Sequence, residues 1–460
     1  MLRFRLKNVG ALDEAEIDLA DLTVICGENN TGKTYAAYAI YGLLREWREL
    51  STAFVRQRLA LDGESRPLAE YDINDLFVGK MNECLTEIAK AYASKLQRAL
   101  GARRRPSTTS TITMMTDEDP NLIVRSYQKE LPRDDFTVMI SKGPDEHVVR
   151  VVGNGAPRYL LRYYIADAMA DIVFSGLVPR VHISSAERTG ISIFRTELDL
   201  ARTRLLKAIQ DMDSRDLREP EMVFLPARYS SAYAWPVEDN IDFVRELEMQ
   251  SGVSSEILEA NPSMLDAFER ILGGAYEFAP NRGIMFRSKA HGNPSVAMNE
   301  ASSCVRALLD VGFYIRCKAR PGDLFIIDEP ELNLHPKNQC LMARLLVRLV
   351  NAGVKVLITT HSDYFVRELN TMIMLAQRTE LARAVQTREG YDDTELLDPG
   401  RVRLYVTRTL DVETDGDTTA RSSVNSLVSV AVLPDTGIGV ATFDDTIRKI
   451  NEVQDEILFG

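Results

Sequence analysis

Residues 22–49 hold the feature that most restricts how this chain can fold. Leu22-Thr23-Val24-Ile25-Cys26 is a short apolar run of the kind that forms a strand buried on both faces. Gly27-Glu28-Asn29-Asn30-Thr31-Gly32-Lys33-Thr34 follows and fits the pattern G-x-x-x-x-G-K-[ST] in full. From Lys33 to about Glu49, Tyr35, Ala39, Leu43 and Trp47 recur every four residues, which predicts a helix. Strand, glycine loop and helix in that order make a phosphate cradle. The glycines let successive N–H groups turn inward, and the helix adds the positive end of its dipole. Gly27, Asn29, Asn30, Thr31, Gly32, Lys33 and Thr34 are therefore candidate ATP ligands. Lys33 would reach the β- and γ-phosphates, and the Thr34 hydroxyl would hold Mg²⁺.

The second half of the chain supplies a matching sheet. A helix at about 300–317, a strand at 323–328, a helix at 337–352, a strand at 354–359 and a helix from Tyr364 alternate as in a parallel α/β sheet. Leu324-Phe325-Ile326-Ile327 ends in Asp328-Glu329. The first carboxylate is a candidate metal ligand and the second a candidate general base. Val356-Leu357-Ile358-Thr359-Thr360 ends at His361, a strand end that would face the same crevice, so His361 would sense the γ-phosphate or orient water.

Between these halves the pattern is mixed. Residues 68–100 read as helix, 121–152 as strands, 158–178 as helix, Val181-His182-Ile183 as a strand, and about 192–212 as a long helix. Met222-Val223-Phe224-Leu225 reads as a strand, 238–273 as helix and 275–298 as a hairpin. Gly101–Thr113 reads as a break. Near the end, Val402–Val406 reads as a strand, Asp411–Ser423 as a polar stretch, and Ile447, Ile450 and Ile457 as one face of a closing helix. The expected division is an ATPase core over 1–60 and 290–385, an inserted mixed helical and β arm over 61–289, and a C-terminal α/β extension over 386–460.

Composition excludes several classes. With 55 basic against 67 acidic residues the formal net charge is −12, the wrong sign for a dedicated nucleic-acid binder. Five scattered cysteines without a Cys-x-x-Cys point to reduced thiols in the cytoplasm and away from a zinc knuckle. No run of apolar residues is long enough to span a bilayer, and Met1-Leu2-Arg3-Phe4-Arg5 lacks the apolar stretch of a signal peptide. No membrane association is expected.

Together these motifs resemble the soluble branch of ABC-type ATPase heads that includes RecF, the SMC proteins and the OLD-like ATPases of bacterial defence operons. Asp328-Glu329-Pro330-Glu331-Leu332-Asn333-Leu334-His335-Pro336 is similar to that branch's DEPExxLHP run, and Thr359-Thr360-His361-Ser362 resembles its switch-histidine segment. The resemblance covers roughly 1–50 and 290–370. It implies an α/β P-loop NTPase of ABC-ATPase head type, with a mostly helical insertion between the phosphate loop and the signature and acidic-strand segments. It also implies ATP and Mg²⁺ as cofactors, and head-to-tail pairing in which a signature loop of one copy caps the ATP of the other. The candidate signature is Asn299–Arg306, with Ser302 and Ser303 as donors to a γ-phosphate and Cys304 where the family carries glycine; an ordinary helix cap at Ser302 or Ser303 is the competing reading. Ser184–Gly190 and Phe224–Arg228 read as turns stapled by an arginine. About ninety residues follow Ser362, and the acidic cluster Asp411, Glu413, Asp415 and Asp417 falls in a polar loop, so no TOPRIM nuclease is expected.

The leading function is an ATPase that assembles through nucleotide, as a dimer or higher even oligomer, and controls a separate effector protein, with anti-phage defence as the setting the resemblance implies. The alternative is a RecF-like DNA-binding ATPase of repair or recombination, with Arg103-Arg104-Arg105, Arg202 and Arg204 as phosphate contacts. A scaffold that binds ATP without hydrolysing it ranks last, because Lys33, Asp328 and Glu329 are all present.

Overall fold

The computed structural model describes residues 1–59, 68–102, 110–117, 126–132, 136–154, 157–194, 233–250, 252–279, 283–290, 295–413, 421–435, 437–438, 448–449 and 451–457. The long helix expected over 192–212, the strand at 222–225 and most of the polar stretch lie largely or wholly outside these residues; of the closing helix, residues 448–449 and 451–457 are helical, and Ile447 and Ile450 lie outside. So do Arg103, Arg104, Arg105, Arg202, Arg204, Phe224–Arg228, Asp415 and Asp417.

One nine-stranded sheet organises the chain. Its strands are β1 (Leu2–Val9), β2 (Leu12–Leu19), β3 (Leu22–Cys26), β5 (Thr111–Thr116), β9 (Val181–Ser184), β13 (Leu324–Asp328), β14 (Lys355–Thr360), β15 (Val402–Glu413) and β16 (Arg421–Val430). Their order is β5-β1-β2-β16-β15-β3-β14-β13-β9. The half formed by β15, β3, β14, β13 and β9 is parallel throughout. Next to it β16 runs antiparallel to β15, and β1 pairs antiparallel with both β2 and β5. This is the α/β architecture of a P-loop NTPase.

In β3, β13 and β14 every position but Lys355 is buried, because both faces of the sheet are covered. Leu324, Ile326, Leu357 and Ile25 enter one core. Phe325, Ile327, Val356, Ile358, Val24 and Cys26 enter the other. The first helix, Lys33–Arg45, packs on the sheet through Ala36, Ala37, Ala39 and Ile40, all fully buried. The small alanines allow close approach. The expected single helix to Glu49 is two helices, with a second from Trp47 to Arg58. On the opposite face, Pro336–Asn351 and Asp363–Leu375 pack together.

The expected division into core, arm and extension does not divide the sheet. β5 and β9 come from the presumed arm, and β15 and β16 come from the presumed extension yet lie in the middle of the sheet, between β2 and β3. Strand pairing of this kind is set by partners hundreds of residues away, so local patterning cannot show it. Among the described residues the arm mixes helix and strand, as expected. β4 (Leu68–Asp72), β6 (Tyr127–Pro132), β7 (Thr137–Lys142) and β8 (Val148–Asn154) form a separate antiparallel sheet in the order β4-β8-β7-β6. β4 corrects the helical reading at 68–72; helices Ile73–Phe77, Met81–Tyr92 and Leu96–Ala99 follow it. Arg158–Phe174 is helical as expected. The 275–298 region is a three-stranded meander of β10 (Gly274–Ala279), β11 (Gly283–Ser288) and β12 (Val296–Ala297). The strand expected at 402–406 continues to Glu413 and pairs with β16 over ten positions, so Asp411 and Glu413 belong to a ladder rather than a loop.

Because β15 and β16 fill the centre of the sheet, a chain truncated after Arg401 should leave β2 paired only with β1 and β3 only with β14, each with one open edge. Such a protein is expected to lose its cooperative thermal transition and to aggregate, as followed by circular dichroism and sedimentation.

Candidate functional site

The site lies along the C-terminal edge of the parallel strands, the expected place for a ligand in such a sheet. Register brings the key positions level. Cys26, the last residue before the phosphate loop, pairs with Thr360, and Asp328 pairs with Thr359. The phosphate loop, the two acids and His361 therefore leave three adjacent strands at one height.

The loop is braced by the strand on its other side. Gly27 has φ +148°, and a Cβ there would lie 1.8 Å from Thr407 Oγ1 of β15, so only glycine fits. Thr407 Oγ1 is also 2.7 Å from Thr31 Oγ1, and Thr31 donates to Glu28 O at 2.7 Å. Lys33 is buried, and its Nζ donates to Gly27 O at 2.9 Å and to Glu28 O at 2.6 Å. Burial lowers its pKa, against the pull of the neighbouring Glu329 and Asp328. Among the described residues, no backbone N–H of Asn29–Thr34 closes a hydrogen bond to a carbonyl. That open row of donors beside an ammonium suits a polyphosphate. Asn29 and Asn30 lie on the exposed lip, Asn30 with φ +64°.

Asp328 is fully buried. Its Oδ1 accepts from Thr34 Oγ1 at 3.2 Å and from the Thr359 hydroxyl, while Oδ2 has no partner. Desolvation, with Glu329 nearby, raises its pKa to about 6 despite those two hydroxyls. A buried carboxylate oxygen with an open lone pair, next to a threonine hydroxyl, fits a hard cation. No group of three or more His, Cys, Asp or Glu side chains among the described residues is placed to hold a metal alone. Mg²⁺ is commonly held by one or two protein oxygens together with phosphate and water, a number that Thr34 and Asp328 could supply.

Glu329 has φ +53°, an uncommon conformation for a non-glycine residue. Its N–H donates to Thr359 O at 3.1 Å and Thr359 Oγ1 at 3.2 Å. His361 Nδ1 lies 3.4 Å from Glu329 Oε1 and 3.4 Å from Glu331 Oε1. The imidazole is the largest influence holding Glu329 below the ordinary glutamate range, and Glu329 correspondingly raises His361. The imidazole is half exposed, so it can reach a group arriving from solvent.

Several site residues were not singled out from the sequence. Glu331 is buried; its Oε1 accepts from Thr360 Oγ1 at 2.7 Å and His361 N at 2.9 Å, fixing the histidine's backbone. It sits inside the DEPExxLHP-like run, which was the available signal. Thr359 holds both acids. Glu187, on the loop after β9, accepts from the buried Tyr38 hydroxyl at 3.0 Å and contributes to the rise at Asp328, so it is a third carboxylate at this edge. Arg188 is a buried staple, as the turn reading anticipated. His335 caps the helix Pro336–Asn351, accepting from Lys337 N at 3.3 Å, so the end of the run starts a helix. A cavity of about 690 Å³ opens beside Thr34 and Glu187, lined mainly by apolar groups such as Tyr35, Phe194 and Tyr233; neither Lys33 nor Asp328 lines it, so it flanks the cradle.

Ser302 and Ser303 stand apart. Both are exposed, and Ser302 Oγ accepts from Val305 N at 3.4 Å as the cap of the short helix Ser303–Ala307. Within one chain, no hydrogen bond among the described residues joins either serine to the phosphate loop or the acids.

The sequence matches the AAA ATPase domain family over residues 1–142 and 237–366, more than half of the chain. The chain belongs to that family. The matched spans of this AAA ATPase domain contain the phosphate loop, Asp328, Glu329 and His361 but neither Glu187, Arg188 nor β15. A comparison with curated proteins gives no match. Among solved structures it is similar to the Smc head domain with an extended coiled coil bound to the C-terminal domain of ScpA from Pyrococcus furiosus. There the identity is 16% over 99% of this chain and 100% of that one, with a TM-score of 0.35. It is also similar to the SmcHead bound to the C-winged helix domain of ScpA (13%, 93% and 97%, TM-score 0.36). A third is the SMC head domain from Thermotoga maritima (12%, 94% and 98%, TM-score 0.32). Among the described residues no helix is long and apolar enough to cross a membrane.

The raised pKa of Asp328 has a direct consequence for stability. The folded state binds that proton more tightly than the unfolded state between pH 3.8 and about 6, so this group's contribution falls as pH rises through that window. Asp328→Asn should therefore stabilise the nucleotide-free protein above pH 6, on the order of 2 kcal/mol, with the gain vanishing below pH 4. Thermal melts of the two proteins from pH 4 to 8 check this.

Proposed function

We propose that this AAA ATPase domain binds ATP with Mg²⁺, hydrolyses it, and uses the cycle to assemble with a second copy of itself. The observation that carries this reading is the placement of Lys33 and Thr34, at the start of the helix that follows β3, beside Asp328, Glu329 and His361 at the ends of β13 and β14. Gly27–Thr34 would hold the phosphates through backbone N–H groups and Lys33. Thr34 and Asp328 would hold the metal, which supplies charge neutralisation on the phosphates. Glu329, kept ionised beside His361, would accept a proton from the attacking water at its carboxylate. His361 would orient that carboxylate and donate toward the departing phosphate.

Ser302 and Ser303 support the assembly step. They are exposed and unconnected to their own chain's phosphate loop, as expected of donors that complete a partner's site. Control of a separate effector, and a setting in anti-phage defence, are supported by the family resemblance of the 328–336 run. For the RecF-like alternative, the arginines that would contact DNA lie outside the described residues, and the charge of −12 weighs against it.

The experiment is solution mass and phosphate release with and without ATP and Mg²⁺. Lys33→Ala should weaken nucleotide binding by about tenfold or more, since one charged hydrogen-bonding contact is lost. Glu329→Gln should keep binding while turnover falls at least about 100-fold, and should accumulate an even oligomer only with ATP. A Glu329→Gln protein that releases phosphate at the wild-type rate would refute the base assignment. A mass indifferent to nucleotide would refute assembly through ATP.

A further inference from the structure

Arg188 is 2% exposed and belongs to neither family-matched span. A buried guanidinium must find partners for its donors. Here every assigned partner is a backbone carbonyl. Nε donates to Ala307 O at 2.9 Å, Nη1 to Ser185 O at 3.0 Å and Asp328 O at 2.6 Å, and Nη2 to Glu329 O at 2.5 Å. These carbonyls come from three pieces of chain: the loop after β9, the C-terminal end of the helix Ser303–Ala307, and the end of β13. A planar fork with five N–H groups can bridge them; a single ammonium cannot hold the same set in the same plane.

Two features give this staple a role beyond filling space. First, Glu329 is held at φ +53°, and its peptide is gripped from both sides, by Thr359 on its N–H and by Arg188 on its carbonyl. Second, the helix Arg188–Ile193 has a further tie to the same serine-capped helix. The Ser192 hydroxyl lies 2.9 Å from Arg188 O and 2.7 Å from Arg306 O, bridging the two helices.

We propose that Arg188 is a positioning residue for hydrolysis, which fixes the backbone that aims the Glu329 carboxylate and makes that aim depend on where the helix Ser303–Ala307 sits. A second copy docking on Ser302 and Ser303 would press on that helix, and Arg188 would pass the displacement to Glu329. The staple thus regulates the step at which water attacks the γ-phosphate and leaves the phosphate loop untouched. This inference rests on the ATPase reading above.

The test compares wild type with Arg188→Lys, which keeps the charge but loses the fork. Binding of a fluorescent ATP analogue with Mg²⁺, kcat for phosphate release and thermal melting are measured on each full chain. The expected result is a kcat lower by about 100-fold, the scale of a misplaced catalytic group, with Kd for nucleotide within about twofold of wild type. Equal kcat in the two proteins overturns the role of Arg188 while leaving the ATPase reading intact. Parallel losses of kcat, Kd and melting temperature assign Arg188 to stability alone and overturn it as well. A wild type that binds ATP and releases no phosphate overturns the hydrolysis reading, and the role of Arg188 with it. If the lysine protein does not fold, Ser192→Ala decides, because it removes the hydroxyl bridge and leaves the guanidinium. A several-fold lower kcat at unchanged Kd supports the coupling, and an unchanged kcat overturns it.

Discussion

The register of three parallel strands governs the rest of this molecule. Cys26, Thr360 and Asp328 end level with one another, and a slip of one residue would turn each strand's side chains to the opposite face. That register is held by the two cores, which take alternate residues of the same strands. Thr359 shows how closely packing and chemistry are joined. One residue pairs with Asp328 in the ladder, donates its hydroxyl to the Asp328 carboxylate, and accepts the N–H of Glu329.

Electrostatically, the site gathers more negative charge than its one buried lysine can balance. Asp328, Glu329, Glu331 and Glu187 all reach the same edge, and the consequences differ by environment. Asp328, desolvated and with one oxygen unpartnered, is pushed toward its neutral form. Glu329, partly exposed and beside an imidazole, is held ionised. Two histidines show the same contrast. His182, on β9, is stacked against Tyr314 and beside Phe243, and burial lowers its pKa to about 3, so it serves as a neutral aromatic. His361 stands at a strand end next to carboxylates and is raised.

What was legible in the sequence was local. The phosphate loop, the apolar strands ending in Asp328 and His361, and the cap at Ser302 are each written in a stretch of ten residues or fewer, where strand and helix periods and turn chemistry act. The pieces that were missed depend on distant partners. Thr111–Thr116 overlaps the end of the break read over Gly101–Thr113 and becomes a strand because β1 accepts it. Leu68–Asp72 lies before helices and becomes a strand through β8. The hairpin of β15 and β16 looks peripheral in sequence, and nothing near residue 402 signals that its neighbour in the sheet is residue 22. Arg188 was legible as a staple, but the identity of the four carbonyls it joins is a property of the assembled sheet.

The position of that hairpin bears on how the protein is made. β1, β2, β3 and the phosphate loop all precede β15 in the chain, and Thr407, which braces Gly27, lies 376 residues beyond Thr31. Closing a contact across such a sequence distance is entropically slow. The phosphate loop of a growing chain is therefore unbraced on one side until β15 has been made. Until then β2 and β3 each present an open strand edge to chaperones, or to neighbouring chains.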